Sequence, residues 1–209
     1  MIKKTLSLFS VIIFIGFGNL YSQSYLTKSE TAGFYTELGA GFFGKSTTSV
    51  LINSGISIKK SVDISFNYAI NKTTEITNFP DFELRSYSIT LTAYPMKQWE
   101  GEPFTGQVFT SFTNSSSSYY VVEDGNSFLV GLGFIKSLQT KSGFKFYPKA
   151  TFAYAPFVNG DARSTSVVSA EIVLEYFSKY DPRLIITPFV AYNLTERFEG
   201  YGLSMGFVF

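Results

Sequence analysis

Tyr201-Gly202-Leu203-Ser204-Met205-Gly206-Phe207-Val208-Phe209 is the stretch that decides the fold. Tyr201, Leu203, Met205, Phe207 and Phe209 are large and apolar, and each residue between them is small. Successive side chains of a strand point to opposite faces. This strand therefore offers one face to hydrocarbon and one to a tightly filled interior, the arrangement of a strand in a membrane barrel.

Working back from that strand, about ten segments alternate in the same way. Phe34, Thr36, Leu38, Ala40 and Phe42 share a face opposite Tyr35, Glu37, Gly39 and Gly41. Val50, Ile52, Ile56 and Ile58 lead into Lys59-Lys60-Ser61, and Val62, Ile64, Phe66, Tyr68 and Ile70 lead out. Placing Ile58 opposite Val62 also sets Ile56 against Ile64 and Ile52 against Tyr68. A one-residue slip would turn every side chain to the wrong face, so the pattern fixes the register. Further segments run through Tyr87–Ala93, Phe104–Phe112, Phe128–Phe134, Phe144–Tyr154, Val168–Tyr176 and Leu184–Asn193. The expected fold is an all-β, antiparallel, up-and-down transmembrane barrel of about ten strands, with eight as the alternative because Pro148 and Pro188 each remove a ladder donor inside a segment.

Composition agrees. Aromatics reach 18% while charged residues are only 16% of the chain, well below the usual quarter, so an unusually apolar surface is being made. Beyond the N-terminal stretch no apolar run is long enough for a helical span of roughly 20 residues, which leaves alternation as the way to coat a surface with hydrocarbon. Charges in the alternating segments fall on the inner face, apart from Arg85 and Lys136 at segment ends, whose long stems reach toward headgroups. A soluble sandwich shows the same alternation inside out. Its water-facing side would then be Gly, Ser and Thr with few charges, a poor surface for keeping molecules apart.

Residues 1–22 read as a secretory signal peptide: Lys3 and Lys4, an apolar stretch from Leu6 to Phe17, and Tyr21-Ser22-Gln23 as the cleavage region. Residues 23–209 are then the barrel domain. With no cysteine, disulfides and thiolate chemistry are excluded. A net charge of +1 makes no electrostatic case for nucleic acid as a partner. Long polar connections are expected at Asn71–Glu83, Asn114–Asn126 and Ala155–Thr165, against short ones at Lys59–Ser61, Gln139–Gly143 and Lys179–Arg183. Ser115–Ser118 with Tyr119 and Tyr120 reads as a solvated loop that could also meet a ligand. Trp99, in a longer connection, suits the membrane interface.

One polar constellation stands out. A hairpin centred on Gly160, in Asn159-Gly160-Asp161, sets Lys149 opposite Glu171 and Lys145 opposite Glu175 on one inner wall. Glu37 and Asp63 can join this cluster from other strands. Such charges either lock a filled lumen, as buried ion networks do, or form a constriction in a small pore, where the excess of acids would favour cations. Tyr35, Tyr147, Phe109 and Phe189 are the side chains bulky enough to fill what the inner glycines and serines leave open.

With the signal peptide, the alternating segments from Phe34 onward and the final Phe209, the chain resembles the small outer-membrane β-barrel proteins of Gram-negative bacteria, the OmpA/OmpX-like and "porin family" barrels. In them the last strand is an assembly signal, here Tyr201, Leu203, Met205, Phe207 and Phe209, although Ser204 stands where a Gly is often found. The resemblance implies the outer membrane as location, with outer-membrane lipid and the barrel assembly machinery as partners and an unknown protein reached through outer loops or periplasmic turns. It carries over no functional residue. The barrel enzymes of that membrane (phospholipases, lipid A deacylases and palmitoyltransferases, omptin-type proteases) use a catalytic His, and the chain contains none. The expectation is a non-enzymatic barrel without cofactor or metal, either a plugged scaffold or a narrow channel. A lipid-active enzyme built on the carboxylates of Glu171 and Glu175, and a soluble periplasmic β-protein, are the remaining readings.

Overall fold

A computed structural model describes residues 32–74, 81–118, 124–141, 144–158, 164–176 and 182–209. The expected signal peptide at 1–22, Tyr119 and Tyr120, the Asn159-Gly160-Asp161 turn and the Trp99 side chain lie outside the described residues. The strands are β1 (Ala32–Phe43), β2 (Thr47–Ile58), β3 (Val62–Thr73), β4 (Phe82–Met96), β5 (Thr105–Ser117), β6 (Gly125–Ile135), a short β7 (Leu138–Gln139), β8 (Lys145–Val158), β9 (Thr165–Tyr176), β10 (Arg183–Asn193) and β11 (Phe198–Val208). Consecutive long strands pair antiparallel, β6 with β8 included, and β1 pairs with β11 to complete a closed barrel of ten long strands, with β7 attached to β8. Closure satisfies the backbone of every strand, which hydrocarbon requires.

The β2–β3 hairpin has the register read from its alternation, Ile58 opposite Val62, Ile56 opposite Ile64 and Ile52 opposite Tyr68. Lys59 and Lys60 both have positive φ, 49° and 50°. Ser61 N–H donates to Ile58 O at 3.0 Å. This is the mirror-image turn whose twist matches that of the strands.

Carrying the register around all ten interfaces returns the path to β1 about 12 residues further along. With the usual strand spacing and rise, that stagger tilts the strands by roughly 40° and gives a backbone radius of about 10 Å. Two aromatic girdles follow on the outer surface. Tyr68, Tyr87, Tyr154, Tyr192 and Tyr201 come to one height toward the end away from the chain termini. Phe34, Phe146, Tyr176 and Phe209 come to another near the termini. The two are about 9 residues apart along the strands, or about 23 Å along the axis at that tilt, close to the apolar band of a membrane barrel. Between them lie exposed Leu38, Ile52, Ile64, Ile89, Val108, Leu132, Ile172 and Leu203. The aromatic excess of the sequence is spent on these girdles and on filling the interior.

Both prolines are accommodated without a bulge at their own positions. Pro148 O accepts from Lys136 N–H at 3.0 Å, so its missing donor faces the same side, where β6 has already ended. The β9–β10 ladder omits Thr187 and Pro188 and resumes in the same register. The register shifts fall elsewhere, between Ala93 and Met96 and between Phe128 and Val130. The count is ten, not eight.

Two expectations need correction. The long polar connections are shorter than expected, because β3, β4, β5 and β8 run past the apolar band into them. Asn71–Thr73, Phe82–Glu83, Ser115–Ser117 and Ala155–Val158 are all strand. The stretch Ser115–Ser117 is therefore wall, not loop, and Ser115 is fully buried with its hydroxyl 3.0 Å from that of Ser86. Outside the apolar band nothing demands alternation, so the sequence pattern fades before the strand does. Second, the outer face carries more charge than Arg85: Lys72, Glu83 and Glu199 also face outward, all at the rim away from the termini. Lys136 lies just after β6, at the segment end expected for it.

Candidate functional site

Among the described residues, buried polar side chains concentrate in the barrel interior. Because the strands are tilted, residues at one height are not the hydrogen-bonded pairs; each step to the next strand drops by about one residue. Following that drop from Glu37 brings Asn53, Ser65, Thr92, Gln107, Gly133, Lys149, Glu171, Thr187 and Ser204 to one level. Nine of the ten strands thus give a polar side chain to a single belt halfway up the lumen. Gly133 is the exception and makes room, since a Cβ there would sit 2.5 Å from Gln107 Nε2.

Within the belt, Lys149 Nζ lies 2.5 Å from Glu171 Oε1, with side-chain exposures of 1% and 9%. Glu37 is buried, interacts electrostatically with both Glu171 and Lys149, and accepts from Asn53 Nδ2 at 3.4 Å. One cation thus stands among two carboxylates. An isolated buried charge would be costly, and the surrounding hydroxyls and amides provide the dipoles that make this arrangement tenable.

One level toward the termini the lining changes character. Tyr35, Tyr94, Ile135, Tyr147, Val173, Ile185 and Val208 form a buried apolar cluster. Tyr35 fits because Gly55 lies beneath its ring, where any Cβ would collide with the phenol. Two tyrosines tie this layer to acids: Tyr94 OH donates to Asp63 Oδ2 at 3.1 Å, and Tyr147 OH to Glu175 Oε2 at 2.6 Å. Arg183 Nη1 then holds the other Glu175 oxygen at 2.7 Å. Above the belt, Phe109 lies over Gly131 and Phe189 over Gly202, each filling the space of the absent side chain, while Phe43 stacks on Phe189 with ring centres 6.4 Å apart.

The structure brings the sequence-derived cluster together in part. Lys149 opposes Glu171 and Lys145 opposes Glu175 in register. Glu37 shares the belt with the first pair. Glu175 is engaged by Arg183 and Tyr147 at the terminal mouth, one to two levels below the belt, and Asp63 lies across the lumen with Tyr94. Both pairings lie on the β8–β9 wall at different heights, Lys149 with Glu171 in the belt and Glu175 at the mouth, where Arg183 and Tyr147 join it. Arg183 escaped the sequence reading because it follows Lys179-Tyr180-Asp181-Pro182, which looks like connection. The signal that could have found it is parity, since Arg183 is two residues before inward Ile185 and in β10's inner row. Among the described residues no group of three acidic residues could hold a metal ion. Tyr201, Leu203, Met205, Phe207 and Phe209 all face outward and are exposed. The last of them is tied to β1, with Phe209 N–H donating to Phe34 O at 2.8 Å and the two rings 5.8 Å apart.

Among solved structures the barrel is similar to the β domain of the Bordetella autotransporter BrkA, with a TM-score of 0.50, 10% identity, and coverage of 85% of this chain and 99% of that one. It is also similar to the translocator domain of the autotransporter NalP from Neisseria meningitidis, with a TM-score of 0.48, 11% identity, and coverage of 96% and 93%. A de novo designed transmembrane β-barrel matches with a TM-score of 0.39 and 9% identity over 88% of this chain and 100% of that one. No family model and no curated sequence matches the chain. The fold is that of a transmembrane β-barrel; nothing in these likenesses points to OmpA or OmpX in particular.

Proposed function

We propose that this chain is an integral outer-membrane barrel with a plugged lumen, acting as a scaffold of the cell envelope or as an interaction protein, and without enzymatic activity. Export through a signal peptide at residues 1–22 would deliver it, and its even strand number would leave both termini on the periplasmic side. The observation that carries the reading is the apolar layer at the terminal end. Tyr35, Tyr94, Ile135, Tyr147, Val173, Ile185 and Val208 are each at most 6% exposed, which supports a layer closed to water, and the buried Phe109 and Phe189 rings above the belt support it further.

A narrow diffusion channel for ions or small solutes is the second reading. It draws on Asn67 and Gln107, buried side chains whose amide oxygens and nitrogens have no hydrogen-bond partner; a hydrated lumen would satisfy them. Single-channel conductance of the refolded barrel in a planar bilayer separates the two. The plugged reading expects a folded, heat-modifiable and electrically silent protein. Steady conductance that shifts its ion preference with Glu37→Gln would establish the channel instead.

A further inference from the structure

The β2–β3 turn is built from residues that its shape disfavours. Lys59 and Lys60 stand in succession at φ 49° and 50°, positions that Asn-Gly fills at least cost and that a side chain with a Cβ resists. Elsewhere the chain has glycine at positive φ, at Gly44 and Gly101, and among the described residues Arg197 is the one other exception. Strain kept in a tight turn points to a use for the side chains it carries. Lys97 joins them from the β4–β5 connection. Its Nζ donates to Ser61 Oγ at 2.8 Å, and Ser61 Oγ donates to Lys59 O at 2.9 Å, so a third ammonium is pinned against the turn. Lys97 Nζ also donates to Glu100 Oε1 at 3.1 Å, an acid whose side chain is 57% exposed.

The tip stands where headgroups begin. Ile58 pairs with Ala32 and with Val62, and Val62 pairs with Ala93. All four face outward, and Ile58 comes to the level of the aromatic girdle near the termini. The lysines follow directly past it, Lys59 exposed and Lys60 half-buried, on stems long enough to spread along the interface. Charge on this rim is one-sided. Outside the lumen, the described residues of the terminal end carry Lys59, Lys60, Lys97, Lys136 and Lys141 against Glu100 and Glu102. The far rim is near balance, with Lys45, Lys72, Arg85 and Arg197 against Asp81, Glu83, Asp124, Glu196 and Glu199. Asp63, close to the turn in sequence, is buried and turned inward to Tyr94 OH.

We propose that the tip formed by Lys59, Lys60 and Lys97 binds the headgroup of an anionic phospholipid, one whose phosphate has no ammonium beside it, as in phosphatidylglycerol. The phosphate oxygens accept from the lysine ammoniums, and the acyl chains run along the wall past Ile58, Val62 and Ala93. An ethanolamine lipid suits the tip less well, because its own ammonium is repelled by the same lysines. Each lysine close to an anionic surface favours it by about fivefold. The site lies on the side of the termini, and with the termini in the periplasm that is the leaflet made of glycerophospholipids. The proposal rests on the membrane-barrel reading, and its test is independent of whether the lumen conducts.

The test is native mass spectrometry of the detergent-purified barrel after exposure to an equimolar mixture of dimyristoyl phosphatidylglycerol and dimyristoyl phosphatidylethanolamine. Heat-dependent gel mobility shows beforehand that each protein is folded, so a failure of the barrel reading would appear there and not in the lipid ratio. The wild type should favour the glycerol form by about fivefold or more in about 0.1 M ammonium acetate, and lose most of that preference at about 1 M, where charges are screened within a few ångströms. Lys59→Asn combined with Lys60→Gly keeps the turn and relieves its backbone. It should fold at least as stably as the wild type, yet lose most of the preference. Lys97→Gln should lower the preference severalfold from the neighbouring connection. Lys72→Gln combined with Arg85→Gln, at the far rim, should leave it unchanged. Equal retention of the two lipids by the wild type, a preference that survives the turn variant, or an equal loss in the far-rim variant would each overturn the proposal.

Discussion

Replacing Lys149 by alanine should destabilise the barrel by about 3–5 kcal/mol, the usual cost of leaving a buried charge without its partner. The pair is close and dry: 2.5 Å apart, with the ammonium end almost wholly enclosed. At an effective dielectric near 20 the attraction at that distance is roughly 6–7 kcal/mol, most of which offsets the loss of hydration. Glu171→Ala should cost less than Lys149→Ala. Without Lys149 both Glu171 and Glu37 face each other uncompensated, whereas without Glu171 the lysine still has Glu37 within reach. Lys149→Met combined with Glu171→Leu should recover most of the loss, because a buried pair exchanged for apolar groups of similar volume is often neutral. The measurement is urea unfolding of the refolded barrel in lipid vesicles, followed by gel mobility. If each single change costs under about 1 kcal/mol, as for exposed pairs, and the double change costs their sum, the belt is hydrated and the reasoning fails.

At the terminal mouth, Arg183→Ala should cost about 3–5 kcal/mol because it strands Glu175, whereas Tyr147→Phe, which removes one hydrogen bond to the same carboxylate, should cost about 1.5–3 kcal/mol; the reverse order in unfolding experiments would refute this account of the mouth. Gly131→Ala pushes a methyl into the Phe109 ring and against Phe152 O and should cost about 1–3 kcal/mol, with Phe109→Leu restoring only the part due to the ring; no recovery at all in the double variant would mean the ring is not what the methyl meets. Phe209→Ala removes a ring contact worth about 0.5–1.5 kcal/mol and should barely change refolding in vitro. The fraction folded in cells should nonetheless drop several-fold if the final residue is read during assembly, and equal effects in both settings would reduce its role to packing.

Where hydrocarbon meets the wall, the sequence was a good guide. The β2–β3 register could be read because four outward apolar residues on each strand had to agree, and Lys149 opposite Glu171 followed from counting outward from Gly160. The reading lost its grip where that selection stops. Asn71–Thr73 and Ser115–Ser117 extend their strands beyond the apolar band in residues that look like loop. Arg183 was hidden in a run of turn-forming neighbours. Lys72, Glu83 and Glu199 face outward at a rim where a charge costs little. Nor could pairing alone show that the polar residues form a level belt, because height in a tilted barrel depends on the stagger of all ten strands at once. The bulky residues expected to fill the lumen, Tyr35, Tyr147, Phe109 and Phe189, are all buried in it. The glycine partners of Tyr35, Phe109 and Phe189 are on neighbouring strands, a relation a linear string does not display.

The pairing of β1 with β11 sets a condition on the order of events. Every other long-strand contact joins neighbours along the chain and can form as a growing meander. The seam alone needs both extremes, Tyr35 with Val208 and Phe43 with Gly200. A chain whose synthesis stops before Phe198 is therefore an open ribbon with two bare edges, each a template for a stranger's strand, and it has no means of becoming most of a barrel. Such a polypeptide must be kept apart from its siblings until β11 arrives, so a closed seam reports that every strand before it is in place.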